Sequence, residues 1–409
     1  MELFQVDTVE AALAKLLGVS AALARVETAP LPAAVGRVLA APLTAPFDVP
    51  GGDRSTVDGD ALRAVDSAGA GESLPAFLDC LGRVEMGQVA PAAIGPGQCI
   101  YVPTGAMLPP GADAVVMVEY CEVFGSRVAV GDAVSPGRNL IWRGEDARTG
   151  QTLLPAGRRL RPADIGAAAA LGYAAADVYA APRVAVFSSG DEVIAAGSAA
   201  LAPGQVYDIN GPALAALAAR AGWRVTQTAI VADVEEQLRN ALAAARRDND
   251  VVIISGGSSQ GLKDMTARVF ADIARPGLLS HGLAVRPGKP TVLARDEASQ
   301  TLLAGLPGHP VSALMVMEGV LLEWWRRLSG QPAPRLLPAR LSGNLPAAAG
   351  KQSWQPVRLE AAGDGYLARP VFFRSGLISA LSGADGFFTL ERNSEGLPDG
   401  APVQVQLFD

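Results

Sequence analysis

Four short runs in this chain combine glycine, hydroxyl and carboxylate groups in a way that suits phosphate held beside a hard cation. They are Ser188-Ser189-Gly190-Asp191-Glu192, the pair Ala232-Asp233, the stretch 255–261 (SGGSSQG) followed by Lys263 and Asp264, and 305–310 (GLPGHP). Glycine lets backbone N–H groups approach phosphate oxygens, and a helix N-terminus adds positive potential. Carboxylates do not bind phosphate directly, but they hold Mg²⁺ that bridges to it. Ser189, Gly190, Gly256 and Gly257 are therefore candidate phosphate contacts. Glu192, Asp233 and Asp264 are candidate Mg²⁺ ligands. Each keeps a plainer reading. Asp233 opens Asp-Val-Glu-Glu, a capping box with Glu236. Asp264 reads equally as the cap of a helix expected from Met265. Asp191 reads as a turn residue, which leaves Glu192 the better candidate of that pair.

Lys289, in Arg286-Pro287-Gly288-Lys289-Pro290, is one of four lysines beside 30 arginines and is flanked by backbone-stiffening prolines. It is a candidate anion contact. His309 reads as a shaping residue at a helix start, and His281 as structural. A second acidic group is separate: residues 46–60 read PFDVPGGDRSTVDGD, placing Asp48, Asp53, Asp58 and Asp60 in one expected loop. Such carboxylates repel one another unless they meet a cation, a donor-rich ligand or helix N–H groups.

The elements that must position these residues follow from periodicity. Between Arg183 and Leu328 the pattern alternates strand, loop and helix, with strands expected at Val184–Phe187, Val225–Val231, Val251–Ser255, Thr291–Ala294 and Thr301–Ala304. Helices are expected at Pro212–Ala221, Val234–Arg247, Met265–Ala274 and Val311–Leu328. That alternation predicts a mostly parallel sheet covered by helices on both faces, with ligands outside the carboxyl ends of its strands. The four runs fall at those ends. Residues 8–26 are predicted as a helix capped by Asp7 or Thr8, and the Ala-rich residues 151–180 as helical and packed with it. Residues 28–147 predict a β-rich domain, and 331–409 a small β-barrel or sandwich. The domain reading is thus 1–27 with 148–180 as a discontinuous helical domain, 28–147, 181–330 and 331–409.

Composition bounds the function classes. Of 409 residues, 49% are hydrophobic and 18% charged, which is a globular composition for several domains. The net charge of −7 argues against nucleic acid as the main partner. No segment reads as membrane-spanning and the first residues do not read as a signal peptide. The three cysteines, Cys80, Cys99 and Cys121, lack metal-site spacing and read as buried thiols of a cytoplasmic protein.

Nine segments in order resemble the MoeA family, the molybdopterin molybdenumtransferases related to the E domain of gephyrin. They are the DxSxxDG-type loop (Asp53, Ser55, Asp58, Gly59), TGA at 104–106, the PxGADAVV run at 109–116 and RGED at 143–146. FSSGDE at 187–192, YDIN at 207–210, SGG at 255–257, PGKP at 287–290 and GLPGHPVSA at 305–313 complete the series. The resemblance covers nearly the whole chain.

It implies Mg²⁺-dependent insertion of molybdate into adenylyl-molybdopterin with release of AMP, by an elongated homodimer. The cleft would lie between the α/β domain of one subunit and the β-rich domain of the other. Residue by residue, Asp58 matches an essential aspartate near the insertion site, with Asp146 and Thr104 lining the same cleft. Glu192, Asp233 and Asp264 match acidic residues at the α/β site. Pro307 and Pro310 shape the adjoining loop, Lys289 faces ligand phosphate or oxyanion, and Ser375 is a weaker match. Arg286 stands where many members carry lysine, which keeps charge but changes geometry. The departures are Asp60 in place of a usual tyrosine, Thr56-Val57 for Ala-Met, and Gln260 and Leu262 where Val and Glu are frequent. Asp60 and Leu262 leave open a pterin-binding carrier or scaffold, and tungstate remains an alternative to molybdate. The molybdopterin adenylyltransferase and acceptor molybdoenzymes are the implied protein partners.

Overall fold

The computed structural model describes residues 6–198, 200–256, 260–348, 350–363 and 365–408, with the side chains of residues 260–264 outside that set. Its centre is a six-stranded sheet in the order Arg224–Val231, Arg183–Ser189, Val251–Gly256, Thr301–Leu306, Val292–Asp296, Pro276–His281. The first four strands are parallel, and the last two pair antiparallel. Central parallel strands are covered on both faces, which is why they read as unbroken apolar runs. Val184, Val186, Val251 and Ile253 face one helical layer with Leu214 and Trp324. Ala185, Phe187, Val252 and Ile254 face the other, with Leu238, Leu242 and Phe270. The predicted α/β domain is present, extended by the Pro276–His281 strand that periodicity did not reveal.

The N-terminal helix is shorter than expected. It runs Val9–Val19, and Thr8 is the cap, its hydroxyl accepting from Ala11 N at 3.1 Å. Ser20 ends it, and Val26–Pro30 is a strand rather than helix. Val9, Leu13 and Leu16 join the α/β core beside Trp324, whose indole N–H donates to Ser20 Oγ at 2.8 Å. The helix therefore seats on the α/β core, against which Tyr179 is the residue of the 151–180 stretch that also packs. That stretch is mostly not helical: it holds strands Thr152–Leu154 and Ala175–Tyr179 around a nine-residue helix, Pro162–Ala170. Alanine favours helix, but Ala175–Tyr179 pairs antiparallel with Val26–Pro30, and tertiary pairing overrides the propensity.

The β-rich region forms a second six-stranded sheet in the order Ala114–Met117, Gly59–Leu62, Gln98–Val102, Ala76–Arg83, Arg127–Val130, Cys121–Phe124. Near the C-terminus, strands Gln352–Ala362, Gly365–Pro370, Leu336–Leu341, Pro402–Leu407 and Gly386–Leu390 close into a five-stranded barrel, because the first also pairs with the last. A short strand, Val285–Arg286, pairs with Gln352–Ser353 and fastens the barrel to the α/β domain.

Candidate functional site

Three groups of predicted residues come together, each on its own frame. The first lies at the carboxyl ends of the parallel strands. Ser189 and Gly256 are register partners there, and a Cβ at Gly256 would sit 2.0 Å from Ser189 Oγ and 2.6 Å from its carbonyl oxygen. Glycine at 256 is thus required by strand packing as well as by any ligand. Gly190 has φ +153°, and a Cβ there would meet Val193 at 2.7 Å. Asp233 does not cap the following helix, which runs Glu235–Ala245 with Val234 at its N-cap. Its amide instead donates to Asp191 Oδ1 at 3.1 Å. Asp233 Oδ1 is buried and has no hydrogen-bond partner. Burial raises the Asp233 pKa, the Ser189 hydroxyl opposes the rise, and the charges of Asp191 and Glu192 reinforce it. A half-buried carboxylate with an orphaned oxygen and two acidic neighbours fits a hard divalent cation, which needs only one or two carboxylates when phosphate supplies the rest. The helix after SGG runs Gln260–Ile273, so Asp264 is its fifth residue and not its cap. The Asp264 side chain and all of Gly257 lie outside the described residues.

The second group is cationic. Arg286, Lys289, Lys351 and Arg374 line a cavity of about 680 Å³ with His309 and Ser375, between the α/β domain and the barrel. Among the described residues none of the four cations has an ion-pair partner, so the cavity's field is uncompensated and attracts an anion. Its floor is held by a buried network: Ser255 Oγ donates to Pro307 O at 2.8 Å, and Asn210 Nδ2 reaches Ser255 Oγ at 2.9 Å and Gly308 O at 2.8 Å. His309 Nδ1 lies 2.7 Å from Ser375 Oγ, and Val311 N donates to Ser375 O at 3.1 Å. Pro307 is on the wall. Pro310 is buried in the first turn of the helix Pro310–Val316, behind the wall rather than on it. Lys351, Arg374 and Asn210 were not singled out from the sequence. Lys351, as one of four lysines, and Asn210, as the last residue of YDIN, carried the available signals.

The third group is the acidic loop, which does not behave as a set of mutually repelling charges. Asp48 accepts from Thr149 N, Thr149 Oγ1 and Arg143 Nε at 2.7–2.9 Å, and these bonds hold its pKa down at about 2. Asp53 accepts from Arg143 N at 2.8 Å. Asp58 Oδ1 accepts from Thr104 N at 2.6 Å and Thr104 Oγ1 at 2.8 Å, and the amide first, then the hydroxyl, lower its pKa. Asp146 is exposed, with its amide bonded to Val49 O at 3.0 Å. Asp60 is not in this loop at all: it lies in the Gly59–Leu62 strand, 3% exposed. Among the described residues no hydrogen bond or ion pair joins Asp58, Thr104 or Asp146 to either of the other groups.

Comparison with known proteins places this architecture. The family model for the MoeA N-terminal region (domain I and II) matches residues 7–172, that for a probable molybdopterin binding domain 185–327, and that for the MoeA C-terminal region (domain IV) 338–408. The chain is 34% identical over 341 residues to molybdopterin molybdenumtransferase 2 of Mycobacterium tuberculosis H37Rv, covering 81% of this chain and 83% of that protein. It is 30% identical over 380 residues to the molybdopterin molybdenumtransferase of Bacillus subtilis 168, covering 91% and 87%. A crystal structure of a Pyrococcus horikoshii molybdopterin biosynthesis MoeA protein superimposes with a TM-score of 0.80 at 32% identity, covering 99% of this chain and 100% of that one. No helix among the described residues is long and apolar enough to cross a membrane. Three matched regions in the family's order, on a fold the family shares end to end, show that this chain belongs to the MoeA family of molybdopterin molybdenumtransferases, transferases of molybdenum cofactor biosynthesis.

Proposed function

We propose that this protein inserts molybdate into adenylyl-molybdopterin with release of AMP, in the cytoplasm, using Mg²⁺. The observation that carries this reading is the four-cation cavity opening at the same sheet edge as the orphaned Asp233 carboxylate. A tetrahedral oxyanion and a pyrophosphate both need cationic and hydroxyl donors, and Arg286, Lys289, Lys351, Arg374 and Ser375 supply them. Asp233, with Glu192 and Asp264, would hold Mg²⁺, which when bound neutralises charge on the pyrophosphate oxygens. Ser189, Gly190, Gly256 and Gly257 would bring backbone donors to the same phosphates. Pro307 fixes the wall beside them, and Pro310 starts the helix that backs it.

Asp58, with Thr104 and Asp146, would act at the insertion end of the cleft. Among the described residues no hydrogen bond or ion pair joins them to the α/β site, so the complete site would be built by two copies in a C2 homodimer. Asp60, a departure that favoured a non-inserting carrier, is buried within its sheet and gives that reading no support. The molybdopterin adenylyltransferase and acceptor molybdoenzymes are the corresponding candidate protein partners.

The test is to incubate the protein with adenylyl-molybdopterin, Mg²⁺ and molybdate, and to follow AMP release together with cofactor formation. Both are expected to proceed and to require molybdate. Lys289→Ala is expected to weaken ligand binding by about 1.5–3 kcal/mol, the range for a lost charge-assisted hydrogen bond, with a smaller deficit in high salt. AMP release without cofactor formation would return the protein to the carrier class.

A further inference from the structure

All three cysteines of the chain gather around one buried carboxylate, inside the β-rich sheet and two residues along the chain from the exposed Asp58. Asp60 occupies a strand of the β-rich sheet and faces its apolar layer with Leu62, Val116 and Val128. Cys80 and Cys99 are direct register partners on neighbouring parallel strands. An Asp60 oxygen and the Cys80 and Cys99 sulfurs all lie within 4.8 Å of one another. Cys121 approaches the same carboxylate from the outer strand. Asp60 is 3% exposed and its Oδ1 has no hydrogen-bond partner: the Cys99 and Cys121 thiols sit near enough to favour the anion, yet neither meets Oδ1 in bonding geometry. An unpaired carboxylate in such surroundings is costly unless a charge or donor completes it.

We infer that Asp60, Cys80 and Cys99, with Cys121 as fourth donor, form a binding site for a thiophilic divalent metal of the Zn²⁺ class, separate from the Mg²⁺ chemistry of the cleft. Two or three thiolates with one carboxylate select a borderline-soft d¹⁰ ion and disfavour Mg²⁺, which demands oxygen ligands. A tetrahedral site with Zn–S of about 2.3 Å and Zn–O of about 2.0–2.2 Å needs donors roughly 3.4–3.8 Å apart. The Asp60, Cys80 and Cys99 donors must therefore close by up to about 1.4 Å, and Cys121, outside that 4.8 Å group, must move in to join them. Loading releases the thiol protons to solvent as the sulfurs become thiolates, so binding is favoured by rising pH. Cys99 is fully buried, whereas Cys80 is half-buried and gives the ion a way in. The site depends on the Asp60 departure, because the usual tyrosine offers no carboxylate.

The test uses the full chain, reduced and stripped with EDTA, titrated with Co²⁺ and followed by absorption. The expected result is one Co²⁺ per chain with a thiolate-to-cobalt charge-transfer band, displaced by Zn²⁺ and not by Mg²⁺. Cys80→Ser is expected to abolish the band, and Asp60→Asn to weaken Co²⁺ about tenfold or more. Circular dichroism on both variants verifies the fold, and since Cys80 is only half-buried its replacement spares the core. Absence of the band, or a band unchanged in both variants, overturns the proposal. So does a Cys80–Cys99 disulfide forming under mild oxidation at the same rate with and without Zn²⁺.

Discussion

The acidic loop and the carboxyl edge of the α/β sheet each gather three or more carboxylates, yet they are poised in opposite directions. In the loop, Asp48 is half-buried with both oxygens taken by Thr149 and Arg143, and Asp58 is exposed with its Oδ1 taken twice by Thr104, which lowers both pKa values. At the sheet edge, Asp233 is half-buried beside Asp191 and Glu192, one of its oxygens is unclaimed, and its pKa is raised. A carboxylate that its own protein supplies with donors is held as an anion to lower pH. One left wanting a partner is where a cation gains most. Acidic residues counted along a sequence do not distinguish the two; their donors do.

The largest expected effect tests the held anion. Asp58→Asn keeps shape and removes the charge, so cofactor formation should fall to near background while adenylyl-molybdopterin still binds. Equilibrium binding measured beside turnover checks this, and unaltered turnover would make the Asp58–Thr104 pair a structural turn. Next comes the unclaimed oxygen. Asp233→Asn should raise the Mg²⁺ midpoint for AMP release roughly tenfold, as expected when a metal-positioning group is lost. In the wild type, protons compete with Mg²⁺ for Asp233, and its raised pKa starts that competition at higher pH than for an ordinary carboxylate. The Mg²⁺ midpoint should accordingly climb as pH is lowered, and it should climb much less in the Asn variant.

A smaller effect probes the donors. Thr104→Val removes the hydroxyl but keeps the amide, so the Asp58 pKa is less depressed. The acid limb of turnover, where Asp58 gains its proton, should shift to higher pH, as a pH–rate profile will show. The smallest concerns Asp60, outside both groups. Asp60→Asn should leave the Mg²⁺ midpoint alone and, in EDTA, stabilise the fold at neutral pH by about 1–3 kcal/mol, the usual cost of an unsatisfied buried group. The sign follows from its raised pKa. The acid contributes most to stability below its unfolded value near 3.9 and loses that contribution as pH rises through the folded value. The advantage of Asn should therefore vanish in acid, which denaturant midpoints across pH will resolve.

Much of the α/β domain was legible because buried parallel strands leave unbroken Val and Ile runs and glycine marks their ends. The family motifs likewise stood in order along the chain. The Ala-rich 151–180 stretch misled because alanine reports helix propensity and not the strand at Val26–Pro30 that claims it. Lys351 and Arg374 stayed hidden because the barrel strand Gln352–Ala362 must first pair with Val285–Arg286 before they face Lys289. The Asp60 cluster was illegible for the same reason: sheet register, not spacing, puts Cys80 beside Cys99.

The docking of the first helix has a consequence for how the chain is made. An eleven-residue helix is marginal alone in water, and Val9–Val19 finds its apolar bed only with Trp324, whose partner Ser20 lies 304 residues earlier. At about 5–20 residues per second, the ribosome takes roughly 15–60 s to deliver that bed. The Val9–Val19 segment is thus made well before the bed that seats it, and its Leu13–Leu16 face stays open in the interval.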